Sequence, residues 1–169
     1  MLMENHFAAL NTAVQDRMEQ VGDGLSSRAV AVLLTLSNRG SLPVTSVAEI
    51  VGVSQPTGTR LIDGLEKHGH LHRRPRDGRS VDVCLTPKGR RAATRLQKAR
   101  LAVIEELLAP LTRSERKTLG QVIDKLLFHA TAGRREARTI CRACDHRVCI
   151  GRDCPVDSRA TEIELSAAE

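Results

Sequence analysis

The stretch at residues 41–69, SLPVTSVAEIVGVSQPTGTRLIDGLEKHG, limits the fold more than any other part of the chain. Ser46 and Glu49, three residues apart, have the spacing of a capping box, and Val47, Ile50 and Val51 fall on one helical face. Gly52 supplies the permissive backbone of a tight turn. Ser54 then reads as the N-cap of a second helix, with Pro56 in its first turn, where a missing N–H costs little. Leu61 and Leu65 anchor that helix to its neighbour, leaving Gln55, Thr57, Thr59 and Arg60 for solvent or a ligand. Two short helices joined in this way form a helix-turn-helix pattern.

On either side the periodicity is informative. Phe7, Leu10, Val14, Met18 and Val21 recur at helical spacing over residues 4–21, and a second helix is expected from Ser26 to Asn38, closing at Gly40. After Gly69 the period becomes alternating, with HLHRRP and SVDVCLT flanking RDGR, a hairpin signal. Thr86 and Pro87 restart a helix that carries Ala92, Leu96, Ala99, Val103 and Leu107 and stops near Pro110. Thr112 and Glu115 form a further capping box, and Leu119, Val122, Ile123, Leu126 and Ala130 line a helix expected to reach about Arg138. The polar segment 156–169 reads as a mobile tail.

Charge locates a partner. The chain carries +6 overall, but residues 60–100 hold twelve Lys/Arg against four Asp/Glu, while the remainder holds fourteen against sixteen. One surface is therefore expected to meet a polyanion. With no Trp, no Tyr and two Phe, the chain lacks stacking platforms for single strands, so duplex DNA is the expected ligand. Neither a phosphate-cradling glycine loop nor a nucleophile with its base is present, so catalysis is not expected. No apolar run approaches the roughly 18 to 20 residues of a membrane span, and the N-terminus lacks a secretory layout, so a cytoplasmic location is expected.

The pieces VSQPTGTRLIDGLEKHGHLHR and RDGRSVDVCLTPKG closely resemble the recognition helix and wing of the MarR family of winged-helix transcriptional regulators, and the element order resembles that family over residues 5–138. The resemblance implies a mainly α fold with a small β-hairpin wing, a winged helix-turn-helix, and a homodimer in which the first and last helices interlock. It implies a pseudo-palindromic operator and, as an expectation, repression; members often bind phenols or small aromatic acids, so a small-molecule effector is a possible partner. Groove geometry independently nominates Gln55, Thr57, Thr59 and Arg60 for base edges. The hairpin tip, with Arg76, Asp77 and Arg79, suits the minor groove, and Ser54, Arg73, Arg74 and Lys88 suit phosphates. Gly58 departs from the family's usual small or branched apolar residue. Two readings stay open: a looser recognition helix, or a close approach of its backbone to DNA.

Residues 1–140 are thus expected to form the DNA-binding and dimerisation domain, followed by a four-cysteine motif at 141–155. Cys141, Cys144, Cys149 and Cys154 follow the spacing C-x2-C-x4-C-x4-C-P. In a reducing compartment such a set favours metal coordination over disulfides. Soft thiolates suit an iron–sulfur cluster, slightly favoured because a short loop ending in Cys-Pro resembles cluster loops, or zinc. The spacing is also similar to the cluster loop of redox-sensing regulators of the MerR family, though the intervals differ. The centre is expected either to modulate DNA binding by sensing redox state or metal supply, or to act as a structural staple in a phenol-responsive regulator; a metal-free thiol switch is the third reading. His70 and His72 are a possible metal pair, more readily read as packing or phosphate contacts, His146 is a substitute ligand, and Cys84 is a bystander thiol. A small redox or electron-transfer protein is the remote alternative; it leaves the recognition helix and wing unexplained.

Overall fold

Ser26 opens the central helix of the molecule by accepting a hydrogen bond from the Ala29 amide at 3.2 Å. This computed structural model describes residues 1–75, 81–149 and 154–168. The first helix, α1 (Leu2–Gln20), precedes α2 (Ser27–Arg39), in which every residue from Ala29 to Leu36 is buried. A helix buried all round must sit at the centre of its domain. Around it pack α3 (Val44–Val51), α4 (Gln55–Lys67) and α5 (Pro87–Leu108), whose core residues include Val47, Ile62, Leu65, Ala93 and Leu96.

Strands β2 (Leu71–Pro75) and β3 (Val81–Leu85) form the expected antiparallel pair, with His72 opposite Cys84. A third strand, β1 (Leu42–Pro43), pairs with β3 at Val83 and Asp82, so the sheet order is β1-β3-β2. The molecule is mainly helical with this small sheet as its wing. Because Leu42–Pro43 is a strand, α3 begins at Val44 with Pro43 as its N-cap. Ser46 therefore lies inside the helix, and the expected Ser46–Glu49 capping box does not form. Thr86 and Thr112 cap as expected: Thr86 accepts from the Gly89 amide, and Thr112 and Glu115 make the full reciprocal box that opens α6 (Arg113–Ala130).

The C-terminal region departs from expectation. The helix expected to reach Arg138 ends at Ala130, Gly133 adopts extended backbone, and a short α7 (Arg134–Ile140) follows. A 3-10 turn, Cys141–Ala143, continues it. The segment read as a mobile tail is instead a helix, α8 (Pro155–Ser166). Val156 and Ala160 of α8 are buried with Ala137 and Cys154 in a second small core, against Leu127 and Ile140. Arg134 ties α7 to α8 through Asp157, Thr161 at 2.8 Å and Glu164 at 2.8 and 3.0 Å, and Arg159 lies over the Phe128 ring of α6 at 5.2 Å. The acidic residues that made the tail look solvated are the partners of this clamp.

α1 and α6 bury no residue within the chain. Phe7, Leu10, Val122, Ile123 and Leu126 stand exposed on them. No helix is long and apolar enough to cross a membrane among the described residues.

Candidate nucleic-acid interface

The helix-turn-helix is set by two glycines. Gly52 ends α3 in the left-handed region at φ 75°, which turns the chain sharply into α4. Gly58 is buried where α4 crosses α3: a Cβ built on it would lie 2.5 Å from the Cβ of Ala48 and 3.2 Å from its Cα. Neither open reading of Gly58 describes this geometry; the residue lets the two helices of the motif touch, and it faces away from the exposed side of α4.

The buried face of α4 is Gly58, Ile62 and Leu65, with Leu61 only partly covered, so Ile62 rather than Leu61 is the chief anchor beside Leu65. The outward face carries Gln55 and Arg60, both exposed, with Thr57 and Thr59 half-buried beside them. Thr59 donates to the Gln55 carbonyl at 3.1 Å, and the Ser54 and Thr57 hydroxyls share a hydrogen bond at 2.9 Å. Ser54 is the N-cap residue, but its side chain makes no cap bond to the backbone. Arg60 has no ion-pair partner among the described residues, so its charge is directed at solvent.

The wing is positioned by Arg73. Its guanidinium pairs with Asp63 at 2.6 Å and with Glu66, and its amide donates to Glu66 at 3.0 Å. The hydrogen bond to Asp63 raises the arginine's pKa, with Glu66 adding to the effect against burial. Arg73, expected at a phosphate, thus ties β2 to α4 through two ion pairs within the chain. Asp63 and Glu66 were missed at the sequence level; two carboxylates one helical turn apart, ahead of a basic strand, were the available signal. Lys88 is also engaged, donating to the His68 carbonyl at 2.8 Å at the end of α4. Arg74 is exposed on β2. The expected tip residues Arg76, Asp77 and Arg79 lie outside the described residues.

His70 precedes β2 and is half-buried, while His72 is exposed on the strand. The Nδ1 of His70 is buried without a hydrogen-bond partner. Burial, then Lys88, His68 and Arg95, lower its pKa, with Asp23 opposing. Cys84 is less isolated than expected, because its sulfur and the Ser41 hydroxyl share a hydrogen bond at 3.1 Å.

On the far side of α2 lie the four C-terminal cysteines, all as free thiols. The Cys141 thiol interacts with that of Cys144 by hydrogen bonding, and the Cys149 thiol likewise with that of Cys154, so the side chains stand as two pairs. Cys144 is lowered to about 7, first by its bond with Cys141 and also by Arg100, against its own burial; Cys141 is raised by that bond and by burial. His146 Nε2 lies 3.1 Å from the Cys141 carbonyl. Among the described residues, no three His, Cys, Asp or Glu side chains already converge on a single ion.

The MarR family model matches residues 25–81. The HTH-type transcriptional regulator Mb0904 of Mycobacterium bovis is 31% identical over 122 residues, covering 71% of this chain and 85% of its own length. PecS of Dickeya dadantii is 30% identical over 65% of this chain and 69% of its own length. Among solved structures, YusO of Bacillus subtilis superposes with a TM-score of 0.65 at 26% identity, covering 73% of this chain and 91% of that one. MepR of Staphylococcus aureus, at 16% identity and a TM-score of 0.67, shares the fold over 73% of this chain and 95% of its own. Motif, wing and relatives agree: the chain belongs to the MarR family and is a transcriptional regulator.

Proposed function

We propose that the protein is a sequence-specific repressor that binds a pseudo-palindromic operator as a homodimer. The supporting observation is the outward face of α4, where Gln55 and an unpaired Arg60 stand beside a wing tied to the same helix by Arg73. Such a helix fits the major groove, where Gln reads adenine and Arg reads guanine through paired hydrogen bonds. Arg74, exposed on β2, is assigned to phosphate, and Arg76, Asp77 and Arg79 to the adjacent minor groove. The uncovered apolar faces of α1 and α6 supply the dimer surface, since neither helix buries a residue within its own chain.

Operator selection from random duplexes, followed by binding titrations over a salt series, tests the reading. Gln55→Ala and Arg60→Ala should each cost about 1 to 3 kcal/mol and relax preference at one base position per half-site. Arg79→Ala should weaken binding and flatten its salt dependence. Failure to enrich any duplex sequence, with the wild-type protein folded and dimeric, would overturn the proposal.

A further inference from the structure

Nothing in operator reading requires the four thiols. Cys141 closes α7, Cys144 ends the 3-10 turn, and Cys154 is the N-cap of α8, so three of them terminate regular elements. Cys154 is buried in the C-terminal core, whereas Cys149 is exposed as a residue but turns its sulfur toward Cys154. Cys141, Cys149 and Cys154 line one cavity of about 410 Å³ with His146, Arg39 and Arg138. Cys144 joins them through its contact with Cys141.

The surrounding charges supply an independent observation. Arg100 of α5 faces Cys144 from the winged-helix body, and its Nε is buried without a hydrogen-bond partner. Arg39 and Arg138 line the thiol cavity, and Arg142 lies within the motif. None of these four has a carboxylate within ion-pairing distance among the described residues. Arg134, which lines the same cavity, is instead paired with Asp157 and Glu164. Asp157 also lines the cavity but is already paired with Arg134, so the guanidinium groups near the thiols outnumber the carboxylates, a setting that favours an anion. A divalent ion or cluster held by four thiolates is such an anion, because the ligands' negative charge exceeds that of the metal.

The segment also needs a tie. The turn Cys141–Ala143 buries no residue of its own and is docked on α2 by two hydrogen bonds: Thr35 to the Arg142 carbonyl at 3.3 Å and Asn38 to the Cys144 carbonyl at 2.8 Å. We propose that Cys141, Cys144, Cys149 and Cys154 are the ligands of one thiolate-bound metal centre, a zinc ion or an iron–sulfur cluster, that staples α8 and the 3-10 turn to the back of α2. The two thiol pairs draw together around the metal, and the arginines that have no carboxylate ion pair among the described residues balance its charge. This site stands apart from the DNA-reading face, and its test does not depend on operator binding.

The full-length protein, purified without oxygen, is analysed for metal and sulfide, then stripped with chelator and titrated with cobalt(II). One zinc per chain, or iron with matching sulfide, supports the site and identifies its occupant. Cobalt should bind at one per chain with sulfur-to-cobalt charge-transfer bands and the visible bands of tetrahedral coordination. Cys149→Ser, chosen because that residue is exposed, should weaken those bands by about a quarter or more and lower cobalt affinity while its far-ultraviolet circular dichroism stays unchanged; Cys84→Ser should leave them intact. Metal-free protein without charge-transfer bands, whose thiols instead close as Cys141–Cys144 and Cys149–Cys154 disulfides, would overturn the proposal. Retention of the full cobalt spectrum in Cys149→Ser would do so too.

Discussion

Two glycines, Gly58 and Gly64, lie on the same recognition helix and have opposite surroundings. Gly58 meets Ala48, whereas a Cβ on Gly64 would meet nothing within 4 Å. Gly58→Ala should therefore destabilise the protein by about 1 to 3 kcal/mol in urea unfolding, since Ala48 can yield only by moving its helix. Gly64→Ala should stabilise by up to about 1 kcal/mol, the ordinary helix preference for Ala. His70 sets a pH limit. Its folded-state pKa lies below its unfolded value, so the unfolded chain takes up a proton more readily and stability falls as pH drops through the usual histidine range. Thermal melts from neutral to mildly acidic pH should show that slope, and His70→Gln should flatten it.

At the scale of elements, the recognition helix and wing act as one piece because Arg73 bridges them. Arg73→Gln should weaken operator binding while leaving the salt slope near its wild-type value, because the side chain positions the wing without itself neutralising a phosphate. A slope reduced by about one would return Arg73 to the phosphate contacts. Much of this level was legible beforehand. The caps at Thr86 and Thr112, the start of a helix near Ser26, the turn at Gly52 and the strands Leu71–Pro75 and Val81–Leu85 are local signals carried by adjacent residues. What escaped depends on distant partners. β1 exists because Leu42 and Pro43 meet Val83 and Asp82 across the fold. α8 looks like a solvated tail until Arg134 is placed among Asp157, Thr161 and Glu164. Of the candidate site, Gln55 and Arg60 stand exposed as expected, whereas Arg73 and Lys88 are drawn into contacts that spacing alone does not reveal.

For the whole molecule, the C-terminal unit braces the back of the DNA-reading motif. Arg135 of α7 pairs with Glu49 of α3 at 3.1 Å, and the Thr139 methyl lies 3.5 Å from a Cβ built on Gly52. Apolar side chains on α1 and α6 face outward, and each such side chain is worth about 1.5 to 3 kcal/mol when fully buried. Leu126→Glu, exposed at 51% in the single chain, should cost little if the chain stays alone but should lower the mass measured by light scattering from dimer to monomer if α6 is the pairing surface. Bare helices of this kind also bear on dosage. Where two copies must meet before either can grip an operator, occupancy at low copy number grows with the square of protein concentration, so halving synthesis empties roughly three-quarters of the bound sites, and gene control acquires a threshold without any added effector.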